Sequence, residues 1–89
     1  MKTEFKASFL KAIKKIEDNQ LKADIATAIR NVESAENLKQ IKQLKKLKGH
    51  KLFYRIRIGN YRIGIKIEAQ TAFFVEIKHR SNIYRIFPK

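Results

Sequence analysis

The chain has 89 residues, of which 44% are hydrophobic and 33% are charged, and its formal net charge is +13. This length and composition are typical of one globular domain, spanning residues 1–89, with a single modest core. The absence of cysteine excludes disulfide frameworks, zinc sites with cysteine ligands and thiol nucleophiles.

The N-terminal segment, MKTEFKASFLKAIKK, is too charged for a secretory signal, and its apolar run is too short. No stretch of the sequence approaches the roughly 20 apolar residues of a membrane span. We therefore expect a cytoplasmic protein that does not associate with membranes.

Residues 2–6 are predicted to form a short first strand.

Two amphipathic helices are predicted next. Ser8 is the expected N-cap of the first helix, because its hydroxyl can accept a free backbone N–H. The apolar residues Phe9, Ile13 and Ile16 recur in it at helical spacing. After a turn at residues 18–20, the second helix carries an apolar stripe of Leu21, Ile25, Ala28, Ile29 and Val32. So short a turn favours an antiparallel helix hairpin whose two stripes belong to the core.

Residues 34–51 allow two interpretations, an irregular helix or a helix that gives way to a strand. Gly49 ends whatever regular structure precedes it. Six lysines lie in this stretch: Lys39, Lys42, Lys45, Lys46, Lys48 and Lys51. They form either a solvated surface or a set of contacts for RNA phosphates. The second interpretation is applied to the four that border the following strands: Lys45, Lys46, Lys48 and Lys51.

From Leu52 the hydrophobic period changes to two, which predicts strands at 53–58, 61–68 and 71–78 and a fourth candidate at 83–87. The two-residue connection Gly59-Asn60 is a strong hairpin signal. The short connections predict an antiparallel meander that ends at Pro88. The expected fold is therefore α+β, with an N-terminal helix hairpin packed on a C-terminal antiparallel sheet.

The two-residue turn also fixes the register of the first hairpin, so that Arg57 faces Arg62 and Arg55 faces Gly64. Because side chains alternate across a sheet, one face should carry apolar residues that pack on the helices: Tyr54, Ile56, Ile58, Tyr61, Ile63, Ile65 and Ile67. The opposite face should carry Arg55, Arg57, Arg62 and Lys66. Like charges directly opposite each other destabilise a sheet, and a bound polyanion would compensate for them.

In the third strand, Phe73, Val75 and Ile77 are expected to face the core. This assignment places Phe74, Glu76 and Lys78 on the arginine side, where Glu76 could neutralise one arginine.

The positive charge is concentrated in one part of the chain. Residues 1–33 hold 7 Lys or Arg against 5 acids, whereas residues 34–89 hold 14 against 3. Such a one-sided field favours association with phosphate backbones. A basic surface kept for solubility, or an acidic protein partner, would explain the same imbalance.

Arginine limits the chemistry that this surface can perform. The guanidinium group stays protonated and cannot act as a general base, but it can bind phosphate and stabilise charge that develops on it. The tail KHRSNIYRIFP adds Arg80, Arg85 and a candidate base, Tyr84, because nearby positive charge favours the phenolate form. His79 is more simply explained as a capping or solvent-facing residue, and His50 lies in a turn. The histidines and acids have no metal-ligand spacing.

The run LKGHKLFYRIRIGNYRIGIKI, followed by KHRSNIYRIFP, resembles the RelE/ParE toxin superfamily of bacterial toxin–antitoxin systems. The resemblance covers nearly the whole chain and rests on the patterns L-x-G, Y-R-x-R-x-G-x-Y-R and H-R-x-x-I-Y. It implies a type II toxin inhibited by an antitoxin that wraps around it. RelE-type members cleave mRNA in the ribosomal A site by attack of a 2′-hydroxyl on the neighbouring phosphate, without metal or cofactor.

The resemblance also implies roles for individual residues. Arg55, Arg57 and Arg62 correspond to the functional cations of the hairpin, and Arg80 and Tyr84 to a late arginine–tyrosine pair. Tyr84 would activate the 2′-hydroxyl, while Arg62 and Arg80 would bind phosphate and stabilise the transition state. Well-known RelE enzymes carry lysines at the positions of Arg55 and Arg57. Arginine donates a proton poorly, so the general acid stays unassigned.

Two other functions are compatible with these residues. The ParE branch shares the fold but inhibits DNA gyrase and lacks the catalytic set, so the presence of Arg80 and Tyr84 favours the nuclease. A non-catalytic RNA-binding module would use the same cations. Under either RNA-directed function, Lys66, Lys78 and Arg85 join the four lysines before the hairpin as predicted RNA contacts.

Overall fold

The computed structural model describes residues 1–88, in which two helices and a short C-terminal helix accompany a five-stranded sheet. The helices are α1 (Ala7–Lys14), α2 (Asn19–Ser34) and α3 (Ile83–Ile86). The strands are β1 (Lys2–Phe5), β2 (Leu44–Lys46), β3 (Phe53–Ile58), β4 (Tyr61–Glu68) and β5 (Thr71–His79).

The strand order in the sheet is β1-β5-β4-β3-β2. The predicted α+β architecture is confirmed, and so are the first strand and the β3–β4–β5 meander. The difference lies in β1, which pairs parallel with β5 and makes the sheet mixed rather than purely antiparallel.

The apolar stripes of α1 and α2 pack on the sheet as predicted. Phe9, Ile25 and Val32 are almost completely buried. The predicted N-cap at Ser8 is wrong, because α1 begins at Ala7 and the Ser8 hydroxyl donates to the backbone carbonyl of Val75 on β5. That bond ties the helix to the sheet. The side-chain cap belongs to α2 instead, where the Asp18 carboxylate accepts two backbone N–H groups at 2.9 and 3.2 Å.

Residues 34–51 follow the second of the two sequence interpretations. A 3₁₀ turn at Leu38–Gln40 precedes the edge strand β2. Ile41, at 5% exposure, ties the segment to the core. The six lysines of this stretch are all exposed.

A bulge in β5 overturns one sequence assignment. Gly64 faces Glu76 and the next residue of β4, Ile65, faces Phe74, so Val75 is an extra residue in β5. The extra residue inverts the alternation of side chains before it. Phe74 is therefore buried in the core, and the predictions that Phe73 and Val75 face the core and Phe74 the arginine side are wrong.

The rest of the β5 assignment is confirmed, since Ile77 is buried while Glu76 and Lys78 lie opposite Gly64 and Arg62. The buried Phe74 ring packs 5.4 Å from the Phe9 ring, between centroids. The bulge thus supplies the sheet with an aromatic contact to α1.

The predicted fourth strand at 83–87 is also wrong. Within the described residues, β5 is flanked by β4 on one side and by β1 on the other, so neither of its edges is available for another strand. Residues 83–86 form α3 instead, closed by a bond of 2.9 Å from the Phe87 N–H to the Ile83 carbonyl. Within residues 1–88, no helix is long and apolar enough to cross a membrane.

Candidate active site

The β3–β4 hairpin has the register that its two-residue turn predicts. Arg57 faces Arg62, Arg55 faces Gly64, and Ile56 faces Ile63. We call the side that carries Arg55, Arg57 and Arg62 the arginine face, and the side packed on α1 and α2 the helix face.

Neighbouring strands widen the arginine face on both sides of the hairpin. Lys45 on β2 lies opposite Arg55, and Lys78 on β5 lies opposite Arg62. Directly opposed residues project to the same side of a sheet. A band of cations therefore crosses four strands of the sheet.

Two of the arginines are held by backbone carbonyls. The Nη1 group of Arg55 donates to the carbonyl of Gln43 at 2.9 Å. Gln43 has a positive φ of 62°, at the entry to β2. The Nη1 group of Arg62 donates to the carbonyls of Gly59 and Tyr61, each at 2.9 Å. These bonds orient the guanidinium groups without cancelling their charge.

Within the described residues, no carboxylate forms a salt bridge with an arginine of the arginine face. The salt bridge found within residues 1–88 joins Lys66 to Glu68 at 3.6 Å. The carboxylate of Glu76 accepts from the backbone N–H of Ile77 instead. The prediction that Glu76 neutralises an arginine is therefore wrong, and the face keeps its positive charge.

Arg62 is the centre of this cluster. Its pKa is lowered from the usual value, first because its partial burial disfavours the charged form and then because of the positive charge of Arg55. Arg57 and Arg80 lower the pKa further, and Tyr84 acts in the opposite direction. Each of the other four predicted catalytic residues therefore lies within electrostatic range of Arg62.

Arg80 reaches the cluster through the hairpin turn. Its backbone N–H donates to the carbonyl of Asn60 at 2.7 Å, which ties the end of β5 to the β3–β4 turn. The Arg80 side chain is exposed. It is thus available to a ligand at the end of the sheet where Arg57 and Arg62 face each other.

Tyr84 lies on α3 with its side chain 57% exposed, whereas its neighbour Ile83 is completely buried. α3 has only four residues, and so short a helix takes its position from packing rather than from its own stability. Arg85 is exposed beside Tyr84.

His79 lies on the opposite side of the sheet from the arginines. It is paired with Tyr61, and the two rings meet edge-on with centroids 5.7 Å apart. Its Nδ1 atom accepts the backbone N–H of Ser81 at 3.2 Å and lies 2.9 Å from the Ser81 hydroxyl. These contacts agree with the capping interpretation. His50 lies in the turn after β2, against Phe53.

The remaining candidate RNA contacts are spread over several elements. Lys46 is paired with Tyr54, so it projects to the helix-face side, away from Lys45. Lys48 and Lys51 are exposed in the loop between β2 and β3. Lys66 lies on the arginine face but is engaged by Glu68. No group of three or more His, Asp or Glu residues within 1–88 is placed to hold a metal ion.

Two features of the site were missed by sequence reasoning. The carbonyl of Gln43 orients Arg55, and a backbone acceptor leaves no residue-type signal. Phe87 packs over Gly64 on the arginine face, although residues 83–87 were predicted to form a strand. A glycine among large residues of a strand does carry a signal, since it often marks the close approach of another group.

Comparison with known proteins agrees with this fold. Residues 3–84 match the family described as ParE toxin of type II toxin–antitoxin system, parDE. Over 41 residues the chain is 51% identical to Toxin RelE3 of Methanocaldococcus jannaschii, a match that covers 46% of this chain and 47% of that protein. The chain therefore spans about half the length of this curated relative.

Solved structures extend the likeness to the whole fold. The toxin of the RelB–RelE antitoxin–toxin complex from Methanococcus jannaschii has a TM-score of 0.80 and 34% identity, over 96% of this chain and 99% of that one. The intact Escherichia coli RelBE complex gives a TM-score of 0.65 at 17% identity, over 88% and 94% of the two chains. The second match shows the fold alone.

A mixed sheet with two helices on one face is thus shared with the matched RelE-type structures. Because the family match spans most of its length, the chain belongs to the RelE/ParE superfamily of type II toxin–antitoxin toxins.

Proposed function

We propose that this toxin is a ribosome-dependent mRNA endonuclease of the RelE type, acting in the cytoplasm. The observation that carries the proposal is the cluster around Arg62. Arg57 lies directly opposite it, and Arg55, Arg80 and Tyr84 are close enough to influence its pKa. Such a cluster can bind a phosphate and stabilise the charge that develops on it.

The proposed reaction is an internal transesterification of RNA. Tyr84 acts as the general base and takes the proton of a ribose 2′-hydroxyl, and the 2′ oxygen forms a bond to the adjacent phosphorus. The bond from phosphorus to the 5′ oxygen breaks, which leaves a 2′,3′-cyclic phosphate and a 5′-hydroxyl. Arg62 and Arg80 hold the phosphate oxygens and stabilise the charge that develops on them.

Arg55 and Arg57 add positive charge beside the scissile phosphate. Neither guanidinium gives up a proton readily, so solvent protonates the departing 5′ oxygen while the arginine donors stabilise its charge. The exposed cations Lys45, Lys78 and Arg85 flank this position and would contact the neighbouring phosphates of the mRNA.

A cognate antitoxin is the second proposed partner. Relatives with the same fold were solved as RelB–RelE complexes. The net charge of +13 on this chain would favour an antitoxin with acidic segments that cover the arginine face.

The test is to express the toxin from an inducible promoter and to map the 5′ ends of cellular mRNA, with and without an inhibitor of translation initiation. New 5′ ends within coding regions are expected only while ribosomes translate. Tyr84→Phe should lower the cleavage rate about 10²- to 10⁴-fold, the usual contribution of a positioned base. Cleavage that persists at full rate in Tyr84→Phe would contradict the assigned role of Tyr84.

Inhibition of DNA gyrase is the alternative, favoured by the match to a family described as ParE toxin. It predicts a DNA-damage response while translation continues, with no new mRNA 5′ ends and with full toxicity of Tyr84→Phe. The two functions thus give opposite results in the same induced culture.

A further inference from the structure

Gly64 stands where no side chain can fit. It lies on β4, opposite Arg55, and is buried on the arginine face. A Cβ atom at this position would come within 2.6, 2.7 and 2.8 Å of the Cδ2, Cγ and Cε2 atoms of Phe87. The positive-φ glycines of the described chain are Gly49 and Gly59, so Gly64 is required for space rather than for backbone conformation.

The Phe87 ring has little freedom to move away from Gly64. It is 2% exposed. The Phe53 ring meets it edge-on, with centroids 5.4 Å apart and planes at 85°. Phe53 in turn makes an edge contact with His50, so aromatic rings enclose Phe87 on the side away from the arginines.

The packing of Phe87 fixes the position of α3. The helix is fixed at its start by the completely buried Ile83 and, just after its end, by Phe87. Its closing bond joins these same two residues, from the Phe87 N–H to the Ile83 carbonyl at 2.9 Å. Tyr84 projects from between the two anchors into solvent.

We propose that Phe87, seated on Gly64, is a positioning residue that holds Tyr84 over the arginine face. The ring acts through α3 and does not touch the substrate. The proposal rests on the role of Tyr84 in the proposed function. It adds that the position of the proposed base depends on an apolar contact between the Phe87 ring and Gly64.

The contact predicts a specific kinetic defect. A methyl group at position 64 must displace the Phe87 ring and with it α3, and a shift of about 1 Å at a reacting group can lower a rate about 10²-fold. Gly64→Ala should therefore lower the maximal rate of mRNA cleavage about 10- to 100-fold on programmed ribosomes. The half-saturating ribosome concentration should change less than about 2-fold, because all of the arginines remain.

A double-mutant cycle isolates the contact. Phe87→Ala removes all three ring atoms that the new methyl would meet. In that background, Gly64→Ala should have little further effect on the maximal rate. Phe73→Ala is the matched control, since it removes a half-buried aromatic ring at the β1 end of the same side of the sheet. It should lower the melting temperature and leave the maximal rate per folded molecule unchanged.

If Phe87→Ala does not fold, a graded series at position 64 replaces the cycle. The maximal rate should fall from Gly through Ala to Val as the side chain displaces the ring further. A rate unchanged across the series, with Tyr84→Phe inactive, would overturn the positioning role alone. A higher half-saturating concentration at full maximal rate would also overturn it. Full activity of Tyr84→Phe would instead overturn the proposed function.

Discussion

The two faces of the β3–β4 hairpin are made by alternate residues of the same strands and have opposite properties. On the helix face, Ile63 and Ile65 are completely buried and no charge is present. On the arginine face, Arg57 lies directly opposite Arg62 and no carboxylate compensates them within the described residues. The first face stabilises the fold, whereas the second places like charges opposite each other and supplies the groups proposed to bind phosphate.

This division means that stability and activity should respond to different substitutions. A side chain on the helix face can be shortened without touching the reacting groups. A side chain on the arginine face can be removed without opening the core. Substitutions at adjacent positions, such as Ile63 and Arg62, should therefore have unrelated effects.

Truncation on the helix face should give the largest change in stability. Ile63→Ala should lower the free energy of unfolding by about 2–5 kcal/mol, because it leaves a cavity in the core. Urea denaturation followed by circular dichroism would measure the loss. Cleavage per folded molecule should stay at the wild-type rate, and a drop in that rate would show that the two faces are coupled.

Removal of a phosphate ligand should affect the rate and leave the fold intact. Arg80→Ala should lower the single-turnover cleavage rate about 10²- to 10³-fold, the usual effect of losing one donor to a developing anion. The Arg80 side chain is exposed, so the melting temperature should not change. Arg80→Lys is the matched control and should recover part of the rate, since it keeps the charge but loses bidentate binding.

Lys45 and Lys46 are adjacent residues that project to opposite sides of the sheet. Lys45 shares the arginine face, whereas Lys46 projects to the other side. Lys45→Gln should reduce the slope of log affinity for single-stranded RNA against log salt concentration by about 0.7, the loss of one phosphate contact. Lys46→Gln should reduce the slope less. Equal slopes for the two variants would place the RNA path elsewhere.

The smallest expected effect is a gain in stability. Arg57→Gln removes one member of the Arg57–Arg62 pair and should stabilise the free protein by about 0.2–1 kcal/mol. The gain in melting temperature should disappear at high salt, which screens the repulsion. Arg30→Gln on α2 is the control and should show no salt-dependent gain. A loss of stability in Arg57→Gln would mean that the arginine pair is compensated.

The hairpin was predictable in detail because its turn has two residues and its side chains alternate without interruption. The same rule failed in β5, since a bulge is a property of strand pairing and nothing around Val75 marks it. The prediction for the C-terminal segment was wrong for a different reason. Residues 83–87 alternate like a strand, but whether a strand can form depends on a free sheet edge, and β1 occupies that edge.

The candidate site shows the same limit. The arginine pattern and the family resemblance together nominated Arg55, Arg57, Arg62, Arg80 and Tyr84, and their roles stay a prediction. How these groups are held was not predictable. Arg55 and Arg62 are oriented by backbone carbonyls, and Tyr84 is carried by α3, whose flanking residues Ile83 and Phe87 are buried. Carbonyl acceptors are common to every residue and leave no pattern in a sequence.

The parallel pairing of β1 with β5 has a consequence for synthesis of the toxin. Lys2 pairs with Thr71, so the first strand to leave the ribosome waits for the last strand before it can join the sheet. Contacts this distant in sequence form slowly, because a long loop must close before they contribute. Arg80 and Tyr84 follow β5 and are made later still. A chain that is still incomplete at β5 therefore lacks the closed sheet and also Arg80 and Tyr84, two of the residues proposed to cleave RNA.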